Sequence, residues 1–148
     1  MTSKRDIKVL TELLNLEGMK VVSHRQYKGL GVILQIESVS NESICPRCGI
    51  KTRQLHQNHK YIIKDLPWGE QQLFLEINKR QFKCKKCQKP FTEDLHFVGK
   101  RRKYTKRLAN KTVEEVLKSD VRTVARTNNL TTREIEKMLE DASKGNME

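Results

Sequence analysis

Aromatic residues are scarce in this sequence: Phe, Tyr and Trp make up 5% of 148 positions, with Trp68 the single tryptophan. A broad stacking platform for unpaired bases needs several exposed rings, so the composition argues against a single-strand binder. Trp68, beside Pro67, reads as a core or lid residue. Long apolar runs are missing as well. None approaches the roughly 20 residues of a membrane span, and the N-terminal stretch has no apolar signal-peptide core. A reducing, cytoplasmic setting without a membrane partner is therefore expected. No histidine-rich or clustered-carboxylate constellation of catalytic type is visible, so neither an enzyme nor a small-molecule substrate is expected. Cysteine occurs only four times.

Those four cysteines form two tight pairs, Cys45-Pro46-Arg47-Cys48 and Cys84-Lys85-Lys86-Cys87, separated by 35 residues. Four thiolates at this spacing can close a tetrahedral shell around one Zn²⁺, the layout of a zinc ribbon. A closed shell leaves no position for water, which makes the ion structural. Gly49, directly after the first pair, suits a turn of positive φ. Lys85, Lys86 and Lys89 offset thiolate charge at the second. Two disulfides would need an oxidising compartment, and a thioredoxin-like site needs one pair beside a βαβ unit. A [4Fe–4S] cluster remains open on ligand type but lacks further ferredoxin-type spacing. His56 and His59 read as surface or turn residues, because the cysteines already satisfy the ion. Since ligation and folding are coupled, removing zinc is expected to cost the N-terminal fold.

Apolar spacing predicts a helix over residues 6–17, stopped by Gly18. Two strands follow between residues 20 and 40, turning at Gly29-Leu30-Gly31. Residues 61–63 read as a short strand, and Asp65-Leu66-Pro67-Trp68-Gly69 as a turn. Leu73, Leu75 and Ile77 alternate with Gln72, Phe74 and Glu76. Asn78 is read as a turn into a second strand over residues 80–83, placing a β-hairpin on the zinc. Residues 91–99 read as a linker anchored by Phe91, Leu95, Phe97 and Val98.

Charge is concentrated. The chain has 30 basic and 18 acidic residues, a formal net charge of +12, and residues 79–111 alone hold 13 basic against 2 acidic. A concentrated excess is an electrostatic footprint for nucleic acid. The candidate phosphate contacts are Arg80, Lys83, Lys85 and Lys86 in the ribbon, Lys100, Arg101, Arg102, Lys103 and Lys106 after it, and Arg122 and Arg126 further on.

Three helices are expected near the C-terminus. Thr105 caps the first, running to about Lys118, with Leu108, Thr112, Val113, Val116 and Leu117 on one side. Ser119 caps a short second helix carrying Val121, Val124 and Ala125. Asn128-Asn129 breaks the pattern. Thr131 and Glu134 form a capping box for a third helix over about 132–142, with Ile135, Met138, Leu139 and Ala142 buried. Short helix, turn and capped helix make a helix-turn-helix unit. Its last helix would read the major groove through Thr132, Arg133 and Lys137, with Arg133 suited to guanine. Glu134, Glu136 and Glu140 stand against that reading unless they face away. Residues 141–148 read as a disordered acidic tail.

Taken together, these features resemble the N-terminal DNA-binding part of ISL3-type bacterial transposases. The resemblance is carried by Cys45-Pro46-Arg47-Cys48-Gly49, Asp65-Leu66-Pro67, the run Lys79-Arg80-Gln81-Phe82-Lys83-Cys84-Lys85-Lys86-Cys87, Phe91-Thr92-Glu93 and the helical module with Val121, Val124 and Ala125. It covers about residues 6–142. It implies recognition of the inverted repeats that end an insertion element. In that family a large acidic, metal-dependent catalytic domain follows; nothing in these residues corresponds to it, and no catalysis is expected of them.

The resulting expectation is an α+β chain. A zinc-ribbon β domain with a leading helix occupies residues 1–98. A basic linker, an all-α three-helix helix-turn-helix domain and a short acidic tail occupy residues 99–148. The expected partner is double-stranded DNA, with a homodimer on paired half-sites left open. A stand-alone transcriptional regulator, and a zinc-ribbon adaptor for RNA or protein, remain the alternatives.

Overall fold

A computed structural model describes residues 3–145 and divides the chain into two units. The first comprises the residues up to Ile63 together with Pro67–Leu95; the second comprises Lys64–Leu66 together with the residues from His96 on.

The first unit begins with α1 (Lys4–Leu14), whose N-cap Ser3 accepts a hydrogen bond from the Asp6 N–H. The helix ends at Asn15, which takes the left-handed conformation (φ 51°), ahead of the Gly18 stop expected from sequence. Asparagine tolerates that region better than most residues. Thr11 joins α1 to the sheet: its hydroxyl donates to the Ile7 carbonyl at 2.7 Å and accepts from the Val21 N–H at 3.0 Å.

The strands are β1 (Met19–Tyr27), β2 (Gly31–Ser38), β3 (Ser43–Ile44), β4 (Lys51–Thr52), β5 (Leu55–Trp68), β6 (Gln71–Lys83) and β7 (Pro90–Thr92). The main sheet runs β1-β2-β6-β5, with β7 also on β6, while β3 and β4 form a small sheet of their own. β1 and β2 are antiparallel with an irregularity between Val21 and Ser23. β2 lies parallel to β6, setting Val32 opposite Leu73, Leu34 opposite Leu75 and Ile36 opposite Ile77. Strand alternation sends these side chains to one face. Leu14, Val21, Leu34, Ile36, Ile63, Leu73, Leu75 and Ile77 are each 1% exposed or less. Gly31 is required where it stands, because a Cβ there would run into the Gln72 carbonyl.

Three sequence expectations change here. Residues 65–68 are strand, since β5 continues to Trp68 and the turn is the pair Gly69-Glu70. Asn78 is no turn, because β6 is continuous from Gln71 to Lys83. Pairing to neighbouring strands outweighs the weak strand preference of Asn and Asp. The hairpin leading onto the cysteines is therefore β6–β7, with Phe82 opposite Phe91 and Gln81 opposite Thr92, so Phe91 is a strand residue and not linker. Trp68 is half-buried, and His56 and His59 are exposed on β5.

The second unit holds α2 (Lys106–Lys118), α3 (Val121–Thr127) and α4 (Thr132–Ser143). They surround buried Tyr104, Leu108, Ala109, Val124, Leu130, Ile135 and Met138. Thr105 caps α2 and the Thr131–Glu134 capping box opens α4, as the spacing predicts. α3 is capped by Asp120 instead of Ser119, which closes α2. The Asp120 carboxylate accepts from the Thr123 N–H at 2.7 Å and from its hydroxyl at 2.9 Å. Leu117 faces solvent at 77% exposure, away from the stripe it was expected to join. The unit also contains strand: the Lys64 N–H donates to the Lys103 carbonyl, and the Thr105 N–H to the Lys64 carbonyl, both at 2.9 Å.

The expected tail is ordered at its start. Asp141 lies in α4 and takes a two-pronged bond from Arg102, at 2.8 and 2.9 Å; residues 146–148 lie outside the described residues. The Arg102 guanidinium holds the Asp141 carboxyl below the usual carboxylate range. A depressed folded pKa stabilises above the unfolded value, about 3.9, and that contribution fades as pH falls through the folded value. The Thr123 N–H depresses Asp120 in the same direction. Thermal unfolding followed between pH 2.5 and 7 should therefore show stability falling below about pH 4. Asp141→Asn should cost on the order of 1 kcal/mol at neutral pH and make the acid-side fall shallower.

Candidate metal centre and basic surface

The two cysteine turns are built alike. In each, the first cysteine's N–H donates to the carbonyl five residues on, Cys45 to Ile50 at 3.0 Å and Cys84 to Lys89 at 3.1 Å. In each, the residue after the second cysteine donates back to the first cysteine's carbonyl, Gly49 to Cys45 and Gln88 to Cys84, both at 2.9 Å. That returning residue is left-handed in both, Gly49 at φ 76° and Gln88 at φ 57°. Glycine adopts this region freely, which explains the first turn; the second holds a glutamine there, with its side-chain amide on the Lys85 carbonyl.

The four sulfurs lie within 4.8 Å of one another. Cys45 and Cys87 are 4.0 Å apart and Cys48 and Cys84 3.4 Å. A tetrahedron with Zn–S bonds of about 2.3 Å has edges of about 3.8 Å, whereas a disulfide needs about 2.05 Å. All four cysteines are free. The residues present therefore fit one structural zinc, held by Cys45, Cys48, Cys84 and Cys87. The ion would supply the positive charge that four clustered sulfurs require. Burial works against the Cys45 thiolate, yet backbone N–H groups of Arg47 and Cys48 bring its thiol down to about 6. At Cys48 the Ile50 N–H favours the thiolate, but burial and the neighbouring sulfurs push its thiol up to about 12.

The surroundings lock the two turns together. Arg47, inside the first turn, donates to the Lys89 and Pro90 carbonyls of the second, at 3.1 and 3.3 Å. Buried Thr52 donates to the Lys83 carbonyl at 2.9 Å, and the Lys83 N–H donates to the Gln54 carbonyl at the same distance. Phe82 and Phe91 stack with ring centroids 6.1 Å apart and pack with Cys45 and Cys84. Beside them Arg80 grips Glu93 through two bonds of 2.8 Å and donates to the Ser40 carbonyl at 2.9 Å. Sequence reasoning found the ligands but not this support. Arg47 was readable only as a spacer, and Glu93 only as part of a family-like segment.

The expected DNA-contacting residues fall into two groups. Lys85, Lys86, Lys100, Arg101, Lys103, Arg122, Arg126, Thr132, Arg133 and Lys137 are exposed, and Lys83 and Lys106 partly so. Arg80 and Arg102 are instead committed inside the fold, to Glu93 and Asp141. On α4, Thr132, Arg133 and Lys137 occupy the solvent side, opposite buried Ile135 and Met138. Glu134 is taken up by the capping box and by Lys64 at 3.5 Å, and Glu140 pairs with Lys144. No helix among the described residues is long and apolar enough to cross a membrane.

Residues 42–87 match the family described as the zinc-finger of transposase IS204/IS1001/IS1096/IS1165, so the stretch that holds the four sulfurs is similar to the zinc ribbon of those transposases. The chain is also 28% identical over 109 residues to the transposase for insertion sequence element IS1001 of Bordetella parapertussis. That alignment covers 74% of this chain and 27% of the relative. The chain thus spans about a quarter of the relative it matches. No solved structure matches the chain.

Proposed function

We propose that this chain is a duplex-DNA recognition module of a transposition system, binding the inverted repeats at the ends of an insertion element and performing no strand chemistry itself. α3 and α4 act as a helix-turn-helix, with α4 the reader. The observation that carries the reading is the start of α4. A closed capping box fixes where the helix begins, and Thr132, Arg133 and Lys137 stand exposed on the side away from the core. In this reading Arg133 makes a bidentate contact to guanine. Arg122 and Arg126 on α3 and Lys100, Arg101, Lys103 and Lys106 take phosphates, as do Lys83, Lys85 and Lys86 in the ribbon. The zinc ribbon and its transposase relatives support the setting. A reducing cytoplasm would keep the thiolates available to zinc.

The test is a selection from a random duplex pool with zinc-loaded protein at near-physiological salt. A defined motif is expected, and Arg133→Ala should weaken binding to it by about 1–3 kcal/mol and relax preference at one position. Arg101→Ala should weaken all sequences alike and lower the salt slope by about one. A motif found in promoters and not at element ends would move the assignment to a transcriptional regulator. Preference for structured RNA over duplex would sink the DNA reading.

A further inference from the structure

In the first unit, the sheet face that buries Leu73, Leu75 and Ile77 changes character beyond Ile77. Past that point the same face of β6 presents Lys79 and Gln81, and alternate residues of neighbouring β5 present Gln57, His59 and Tyr61. With Thr92 from β7 these side chains line an open groove of about 380 Å³. The groove is ordered by its own contacts. The Gln57 side-chain amide donates to the Gln81 side-chain oxygen Oε1 at 2.7 Å, and the Lys79 ammonium lies 5.7 Å from the centroid of the Tyr61 ring.

Its charge has one sign. Residues 51–64 contain four basic residues, two histidines and no acid; residues 77–92 contain six basic residues and no acid. Glu93, the acid that follows, is held by Arg80. A surface for an acidic small molecule would be closed around its ligand. This one lies open on a face shared by β5, β6 and β7, and strand surfaces are among the shapes that enter a duplex groove.

We propose that this β5–β6 face is a second DNA-contact surface, in which Lys79 and His59 meet phosphate oxygens and the paired amides of Gln57 and Gln81 meet base edges. The inference rests on the duplex-DNA reading above and adds the zinc-bearing unit to the readers. Each glutamine in the pair keeps hydrogen-bonding capacity beyond the bond between them, and Gln is matched to the adenine edge. Tyr61 positions the Lys79 ammonium through its ring. None of these residues touches the thiolates, so changing them separates binding from folding.

The experiment uses the full chain, zinc-loaded, with the selected duplex and a random duplex of equal length, across a salt series. Lys79→Gln should weaken both duplexes several-fold and lower the slope of log K against log salt by about one. The double variant Gln57→Ala with Gln81→Ala should weaken only the selected duplex, by about tenfold. Zinc content and thermal unfolding of each variant confirm that the fold is intact. Independently, a photo-cross-linking residue in place of His59 should capture the DNA strand. If Arg133→Ala weakens the selected duplex while the groove variants bind as wild type and position 59 captures nothing, the groove is not a contact surface and the α4 reading stands. If the unaltered protein binds no duplex, both fail.

Discussion

Stripping the zinc with a strong chelator should dissolve the cysteine end of the first unit while the sheet core of that unit survives. Apparent binding free energies of structural zinc run to about 10–16 kcal/mol and are inseparable from the folding of the segment that binds it. Without the ion, that end keeps only a few hydrogen bonds, those of Arg47 and Thr52 among them, and a small apolar cluster. β3 and β4 are two residues each, and the small cluster beneath them consists of Cys45, Cys84, Phe82 and Phe91. The core of Val21, Leu34, Ile36, Leu73, Leu75 and Ile77 uses none of the cysteines. Loss of the entire N-terminal fold, expected from the coupling of ligation to folding, is therefore more than this architecture predicts. Amide exchange should rise sharply over residues 43–54 and 82–92 and stay slow in β2 and the first half of β6. All four thiols should alkylate at once after chelation and resist before it. Fewer than one zinc per chain, or thiols that react freely in the loaded protein, would remove the metal centre. Cys84→Ser should reproduce the chelated state, since Cys84 is fully buried and directly follows β6.

The second large effect is expected at Asp65. Its side chain is fully shielded and accepts from the Thr105 hydroxyl at 2.7 Å and from Arg107 Nε at 2.8 Å, with a further bond from Arg107 Nη2. Thr105 is simultaneously the N-cap of α2 and completely buried. Asp65→Ala would leave a guanidinium and a hydroxyl facing an empty acceptor site. Breaking a buried pair from one side typically costs about 3–5 kcal/mol, and with the Arg107 side chain 31% exposed the loss should fall at or below the lower end. Asp65→Asn keeps the shape and one acceptor but loses the charge, and should cost less. Denaturant unfolding of the zinc-loaded protein separates the two. A loss under 1 kcal/mol for Asp65→Ala would show that the pair contributes little, as exposed pairs do. The double variant Asp65→Ala with Arg107→Ala should recover part of the loss, because no charge is then left stranded.

The sequence disclosed what local chemistry decides. Ligand spacing located the metal centre. The Thr131–Glu134 capping box located α4, because both halves of that motif are within three residues of each other. Leu73, Leu75 and Ile77 announced their strand by alternation. Features set by partners distant in the chain were not visible. Arg80 and Arg102 read as cations free for phosphate, since nothing near them in sequence reveals Glu93, thirteen residues on, or Asp141, thirty-nine on, as their acceptors. Asp65 sat in a segment rich in turn-forming types; strand pairing overrides that local preference, and its acceptor role toward Thr105 and Arg107 is set by residues about forty positions away. Ser119 and Asp120 are equally good caps by type. The choice between them fell to the residue whose carboxylate reaches both the N–H and the hydroxyl of Thr123.

The helical unit is written in two places in the chain. Its helices come from residues after His96, but Lys64–Leu66, with Asp65 among them, lie inside β5 some thirty residues earlier. A recombination event that joined residues 96 onward to a new partner would therefore carry away the helices without the carboxylate beneath the first of them. Such a hybrid would inherit Thr105 and Arg107 without the Asp65 carboxylate they donate to. The gene segment that travels successfully has to begin before codon 64, and so takes the last part of β5, all of β6 and the second cysteine pair along with the helices. Inheritance of the helical module is in this way tied to inheritance of half a zinc site, which favours exchange of the whole region as one piece.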